Sequence, residues 1–488
     1  MKKFYVTTAI PYVNAAPHIG NALDYILADT LSRYHQKQKE AVFFSTGTDE
    51  HGQKVAQKAE ELKVTPQKYT DAMILIFKEF AKTMGIEYSY WLRTTEPKHV
   101  KAAQAMWKQL EPYIYKKQYT GLYCVGCERF VTDKEAKADK GNCPIHKKPY
   151  ETISEENYFF KLSEFTEKVQ EVLENETYKI VPLSRRNEAL ALLKEGLDDI
   201  SISREASRMS WGIPVPGDKT QVMYVWFEAL MNYITTLDYP DGDNYKTFWP
   251  ANVHIIGKDI IRFHGLIWPA MLIAMNIPLP EKLFVHGFVQ ADGQKMSKSL
   301  GNVVSPQEII DKYGLDAFRY FFMRHIPSQE DGDFTWEKFE NAYNNELGNE
   351  LGNLVQRLSA MINRYQDGVI GQIPEPNHDI VPYTEAFEEL HLDHALDYVW
   401  TLIRGLNQYI EEEKPWEIAK KEDPEHLQEV LANAVGSLLQ IAEMLEPFLP
   451  HTGKTIRQIF EKGLVKQYHG VLFPRIYLHT PAPTNQKS

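Results

Sequence analysis

The 488-residue sequence predicts an α/β protein: a parallel-sheet body, interrupted by a small cysteine-bearing insertion and followed by an all-helical region. Three observations carry this. Short apolar runs rich in β-branched and aromatic residues end in Gly, Pro or polar loops and lead into residues at helical spacing, the repeating pattern of a parallel sheet. All three cysteines fall within one short stretch. Beyond about Asp333 the strand-like runs stop and helical periodicity takes over.

By length the chain should hold about three domains. Its 43% hydrophobic and 25% charged residues are those of an ordinary globular protein. A formal charge of −12 argues against nucleic-acid binding through bulk charge, while leaving room for a local basic track. No apolar run is long enough to span a membrane, and no basic-then-apolar leader opens the chain. So few cysteines point to a reducing compartment.

Phe4 to Ala9 reads as a buried strand that moves into Pro11; Ile19, Leu23, Ile26, Leu27 and Leu31 follow at helical spacing. His18 and Gly20 thus sit at a helix entrance, where unpaired N–H groups suit phosphate. Taken alone the stretch reads equally as a turn whose histidine caps a helix. Val42 to Thr46 is a second strand, ending in Gly47-Thr-Asp-Glu-His-Gly52, with a helix from about Lys54. Ligands of such sheets bind outside the carboxyl ends of strands, so Asp49 could hold an ammonium group or cap the next helix.

Cys124-Val-Gly-Cys127 is followed after fifteen residues by Cys143-Pro-Ile-His146. Three thiolates and an imidazole in two knuckles match tetrahedral, structural Zn2+. The polar stretch from Asp133 to Gly141 has little core of its own for a metal to supplement. Further on, Tyr158–Leu162 resembles a strand and Phe165–Leu173 a helix, and Arg185-Arg186 reads as a solvated pair or a phosphate contact. Tyr224–Phe227 is expected as a strand continuing into a helix with Ala229, Leu230 and Tyr233. His254 to Asp259 repeats the strand-to-glycine pattern, with Ile260, Phe263, His264 and Ile267 at helical spacing after it. On its own His264 reads as a core histidine. A buried strand from Leu283 to Val289 leads to a loop with Gly293, Lys295, Ser297, Lys298 and Gly301, where lysines supply compact charge for phosphate and glycines let the loop close. Phe339–Gln366, Thr384–Glu413 and His426–Met444 then read as bundle helices, and residues 480–488 as a frayed tail.

H-I-G-N near the start with K-M-S-K-S late, in this framework, resembles the class I aminoacyl-tRNA synthetases and, more narrowly, the methionyl-tRNA synthetase family. The matching stretches are A-I-P-Y-V-N-A-A-P-H-I-G, G-T-D-E-H-G, the cysteine knuckle, Y-V-W-F-E-A-L-M-N-Y, G-K-D-I-I-R-F-H, K-M-S-K-S, L-G-N-L-V-Q-R and E-K-P-W, in family order from residue 9 to 416. The resemblance implies a Rossmann-type catalytic domain over 1–114 and 206–331, with a stem-contact region near 290–338. It implies a connective insertion over 115–205 with its knuckle at 124–146, and an anticodon-binding helical domain over 339–479.

The resemblance also implies the reaction: methionine attacks the α-phosphate of ATP–Mg2+, giving methionyl-adenylate and pyrophosphate, and methionine then passes to the terminal adenosine of tRNA(Met). No side chain serves as covalent nucleophile, so orientation and charge stabilisation carry the catalysis. By position, His18 would contact the triphosphate, Lys298 the departing pyrophosphate with Lys295 assisting, and Asp259 the ribose; Gly20, Asn21, Gly257 and Ser297 complete the nucleotide set. The methionine pocket maps onto Ala9, Ile10, Tyr12, Asp49, Trp226, Ala229, Leu230, Tyr233, Ile260 and His264. A thioether suits such an aromatic-lined apolar slot. Asn353, Arg357 and Trp416 would read the anticodon, whose splayed bases take hydrogen bonds and stacking.

The chain departs from the family at Asn21, where a second histidine is usual. It also stops after the bundle, without the appended tRNA-binding module of dimeric relatives, so a cytoplasmic monomer is expected. Leucine, isoleucine and valine enzymes carry an editing insertion for which 115–205 is too short. Asp49, Lys295, Lys298 and Asp259 argue against a non-catalytic tRNA-binding relative. Asn353, Arg357 and Trp416 argue against a small-molecule nucleotidyltransferase.

Overall fold

A computed structural model describes residues 2–124, 129–131, 133–144, 147–291, 293–295, 304–375, 378–421, 423–460, 463–465, 468 and 470–476. Two compact units emerge. The first is Met1–Pro17, His35–Lys82 and Ile86–His286; the second is His18–Tyr34, Thr83–Gly85 and Gly287–Ser488.

The first unit is built on a six-stranded, wholly parallel sheet of β1 (Lys3–Thr8), β2 (Ala41–Thr48), β3 (Tyr90–Arg93), β4 (Lys179–Val181), β5 (Val253–Gly257) and β6 (Lys282–His286). Their spatial order is β3-β2-β1-β5-β6-β4. Chain direction across the sheet therefore reverses between β1 and β5, and in open α/β sheets a ligand crevice lies outside the carboxyl ends of the strands at that point. The central strands are buried on both faces, which is why they read as continuous apolar runs. Tyr5, Trp107, Phe160, Tyr178, Phe227, Trp268 and Leu283 belong to one core around them. A separate antiparallel sheet joins Ile114–Cys124, Arg129–Val131, Glu151–Phe160 and Ile200–Ser201.

The second unit holds most of helix α1 (Ile19–Lys37). Its Asp29 pairs with Arg33 and with the fully buried Arg319, both at 2.7 Å. Arg319 also donates to the Phe448 and Pro447 carbonyls, so its charge is neutralised and its donors are used, as burial demands. The bundle packs Leu354, Leu358, Leu396, Trp400, Leu431, Leu438 and Ile441 into its interior.

Three expectations fail in instructive ways. Tyr224–Phe227 is no strand: the strand Asp218–Met223 ends before it, and helix Val225–Ala229 begins at once with Phe227 and Glu228 N–H both bonded to the Tyr224 carbonyl. Its aromatic and branched residues report burial, which helix and strand share. Leu283–Val289 is not one strand either. β6 ends at His286, and Val289–Ala291 pairs with Gly332–Phe334 in another sheet. Between them a β-carbon on Gly287 would fall 2.3 Å from the Glu330 backbone, a close approach only glycine permits. Thr384–Glu413 is two helices, Val381–Glu388 and Leu392–Glu413. Leu390 adopts φ of 62°, His391 N–H bonds to the Ala386 carbonyl and Leu390 N–H to that of Phe387. This left-handed terminator usually carries glycine, so leucine hides it.

Candidate active site

The carboxyl ends of β1 and β2 are locked together. Thr8 and Thr46 hydroxyls bond at 2.7 Å, and Ala9 N–H bonds to the Ile255 carbonyl on β5. Beyond them Tyr12 and Asp49 form a parallel bridge, with Asp49 N–H on the Pro11 carbonyl and Val13 N–H on that of Asp49. The backbone thus fixes where Asp49 starts, and its side chain is buried to 5% exposure. Ile10 lies beside Gly47 at the same end.

Tyr233, His264 and Ile260 form a buried hydrogen-bond chain. Tyr233 O–H and His264 Nε2 are 2.6 Å apart, and His264 Nδ1 lies 3.0 Å from the Ile260 carbonyl. A carbonyl only accepts, so Nδ1 carries the proton, Nε2 accepts, and the tyrosine hydroxyl donates. Burial holds the His264 pKa down to about 4, despite the Ile260 carbonyl, so the ring is neutral at physiological pH. Tyr5 O–H bonds to the Tyr233 carbonyl and Tyr178 O–H to that of His264, fixing both backbones. His264 lies in a π-helical turn, Phe263–Ile267, a form frequent at functional sites. Trp226 stacks on Phe263 with centroids 4.2 Å apart and planes 12° off parallel. Ala229 and Leu230 are buried beside it in the chain, and Trp226 and Ile260 are partly buried against the core. The ten residues expected to hold the amino acid all fall in the first unit.

Sequence reasoning missed a second buried network. The Glu228 carboxylate, fully buried, lies 2.8 Å from His51 Nδ1 and 2.8 Å from His99 Nε2. Burial pushes its pKa up, but His51 and His99 outweigh that and hold it below the ordinary glutamate value. Glu50 next door takes Arg93 Nε and Nη2 at 2.8 Å each, and hydroxyls of Thr48 and Thr95. His51 and Glu228 both stand inside stretches the sequence had singled out, but nothing local says that they meet.

At α1, His18 stands just before the first helical residue. Gly20 N–H bonds to His18 Nδ1, and His18 N–H to Asn21 Oδ1, each at 3.1 Å. This is a reciprocal cap made with histidine and asparagine. With Nδ1 accepting, the neutral ring carries its proton on Nε2 as a donor. A β-carbon on Gly20 would fall 2.8 Å from the His18 ring. The departure at Asn21 thus has a structural use: its oxygen closes the cap and its amide nitrogen remains a donor type. Asp259 is exposed next to the turn after β5, its Oδ1 3.0 Å from the β-carbon position of Gly257. Lys295 lies in the short strand Gln294–Lys295, paired with Val289–Ala291. Ser297 and Lys298 lie outside the described residues.

Among the described residues, Cys124 and Cys143 are buried together with Val131 and Ala136, and Leu122 and Tyr150 pack against them. Cys143 N–H bonds to the Lys148 carbonyl and Lys147 N–H to that of Cys143. Two cysteine sulfurs buried in one cluster have the chemistry of metal ligands; Cys127 and His146 lie outside the described residues. His391, Asp393 and His394 also bring ligand atoms within 4.8 Å of one another, at the start of helix Leu392–Glu413. A helix N-terminus disfavours a cation there. Arg186 caps helix Thr166–Glu174 through the Leu173 and Glu174 carbonyls, which explains it structurally.

In the second unit, Asn353 is exposed at the start of helix Asn353–Gln366. Arg357, one turn on, is ion-paired to Glu411 and lies 3.4 Å from Asn407 Oδ1. Trp416 is half-buried in the short helix Pro415–Ile418.

A parallel sheet with its switch point between β1 and β5 and a backbone-fixed carboxylate at a strand end are the features of a ligand-binding open α/β fold. The chain belongs to the class I tRNA synthetase family for methionine: the family described as tRNA synthetases class I (M) matches residues 4–152 and 140–359. A methionine–tRNA ligase of Clostridium acetobutylicum is 44% identical over 474 residues, covering 93% of this chain and 73% of its own. That of Streptomyces coelicolor is 39% identical over 480 residues, covering 93% and 89%. A crystal structure of Mycobacterium tuberculosis methionyl-tRNA synthetase bound by methionyl-adenylate superposes with a TM-score of 0.89 at 32% identity, over 97% of this chain and all of that one.

Proposed function

We infer that the chain activates L-methionine with ATP to methionyl-adenylate and pyrophosphate, then transfers methionine to the terminal adenosine of tRNA(Met). The observation that carries this is the neutral Tyr233–His264 pair beside a stacked indole, in a chain whose family relatives charge tRNA with methionine. A neutral, fully hydrogen-bonded wall suits a thioether: it offers polar edges and demands no counter-charge. In the first step a methionine carboxylate oxygen attacks the α-phosphorus and pyrophosphate leaves. In the second a ribose hydroxyl attacks the activated carbonyl and AMP leaves.

The chain's own groups orient these partners. Asp49 pairs with the ammonium group. Ala9, Ile10, Tyr12, Trp226, Ala229, Leu230 and Ile260 enclose the rest of the amino acid. His18 donates from Nε2 to the triphosphate, with Gly20 and the Asn21 amide beside it. Gly257 lets the ribose approach Asp259, and Lys295, Ser297 and Lys298 take charge from the departing pyrophosphate. Mg2+ arrives with ATP as part of the substrate. Cys124, Cys127, Cys143 and His146 would hold one Zn2+, which supplies a structural cross-link and no chemistry to the reaction. Metal analysis of the purified protein should find about one zinc per chain; a fully active, zinc-free preparation would remove that role. Asn353, Arg357 and Trp416 read the anticodon, and the enzyme works as a cytoplasmic monomer, the setting of tRNA charging. Labelled methionine should be transferred to a tRNA(Met) transcript and not to one whose anticodon is altered; equal transfer to both would remove the anticodon assignment.

A further inference from the structure

Glu228 costs free energy where it stands. A fully buried carboxylate is repaid only by complete pairing, and apolar replacement of such groups is often neutral or stabilising. Its full pairing there therefore points to geometry rather than stability. An ionised carboxylate only accepts, so His51 presents Nδ1–H and His99 presents Nε2–H to it. On its other side His99 Nδ1 lies 2.8 Å from Thr235 Oγ1. One carboxylate thus joins three elements: the loop after β2, helix Pro97–Leu110, and the segment running from Trp226 to Tyr233.

The loop after β2 is the one that carries Asp49, and it is held throughout. Trp211 Nε1 donates to the Glu50 carbonyl at 2.6 Å, and Gly52 N–H bonds to the Trp211 carbonyl at 3.0 Å. The indole also lies against His51, centroids 5.5 Å apart. Asp49 is consequently fixed from behind by Pro11 and Val13 and from ahead by His51 on Glu228.

We propose that Glu228 is a positioning residue for methionine: through His51 it sets Asp49 against the ammonium group, and through its own helix it sets Trp226 and Leu230 in the same register. This rests on the reading of Asp49 as the ammonium partner. No proton need move; the network fixes relative position.

The test is methionine-dependent ATP–pyrophosphate exchange with the full chain, reading KM for methionine, KM for ATP, kcat and Tm. His51→Phe keeps the contact with Trp211 and deletes the donor; it should raise the methionine KM about tenfold and leave the ATP KM within about twofold. Glu228→Gln keeps volume and one acceptor but turns an N–H toward the other imidazole, so a rise of about threefold is expected. His51→Asn, whose amide nitrogen falls near the place of Nδ1, should recover most of the loss. In the double variant Asp49→Asn/His51→Phe the methionine KM should be no worse than for Asp49→Asn alone. Lower kcat and Tm with an unchanged methionine KM in both His51→Phe and Glu228→Gln would overturn the proposal in favour of a structural role. If Asp49→Asn itself leaves the methionine KM unchanged, the ammonium reading falls and this inference with it. If Asp49→Asn raises it while His51→Phe does not, this inference falls alone.

Discussion

The two surfaces proposed for methionine and for the anticodon are built in opposite ways. Around Tyr233 and His264 the polar groups are buried, their partners are protein groups, and their donor and acceptor roles are fixed before a ligand arrives; Asp49 is buried with its backbone bonded on both sides. On the helical face Asn353 is exposed, Trp416 half-buried, and Arg357 engaged by Glu411, itself exposed. An ion pair open to solvent on its Glu411 side is worth about 0–1 kcal/mol, so on the proposed reading Arg357 gives up Glu411 for a base at little cost. The difference teaches that a small amino acid must be met by a preformed slot. A large RNA supplies enough contacts to rearrange side chains on a rigid helix.

The comparison can be broken by separating the two steps of the reaction. Lys298→Ala should lower both pyrophosphate exchange and charging by about a thousandfold while methionine binding persists. Equal losses in binding and rate would contradict a role in the transition state. Tyr233→Phe deletes the hydroxyl that meets His264 Nε2 and should raise the methionine KM about tenfold in both assays. Trp416→Ala should weaken charging about tenfold and leave pyrophosphate exchange untouched. Loss of exchange in that variant would show that the helical face is not a separate site.

A separate effect, read on stability rather than on catalysis, is the response to acid. His264 is held near pKa 4 and His254 well below its ordinary value, each chiefly by burial. Below about pH 6.5 the unfolded chain binds protons that these folded imidazoles refuse. Stability should therefore fall as pH drops from about 6.5 toward 4, by up to about 1.4 kcal/mol per unit for each ring. His264→Gln, read by denaturant titration at several pH values, should flatten that slope.

Much of this architecture was legible because burial on both faces writes itself as uninterrupted apolar runs. Phe4–Thr8, Val42–Thr46 and His254–Gly257 all lie in sheet strands, each ending at a polar or glycine turn. The same logic misread Tyr224–Phe227, since an all-buried helix has no period to show. Leu390 concealed a helix terminator, and Gly287 a strand break that only the nearby Glu330 backbone explains. Asp49 and His264 came to notice through motifs. The Glu228 network did not, because its partners lie 177 and 129 residues away along the chain. Asn21, a departure from the family pattern in the sequence, also closes a helix cap through its oxygen on His18 N–H, a pairing the sequence alone does not show.

The central claim is that this buried, neutral wall selects methionine for activation. ATP–pyrophosphate exchange with each of the twenty amino acids tests it most directly. The account predicts exchange with methionine and none above background with leucine, isoleucine, valine or cysteine. Efficient exchange with any of those four, or none with methionine, would contradict it.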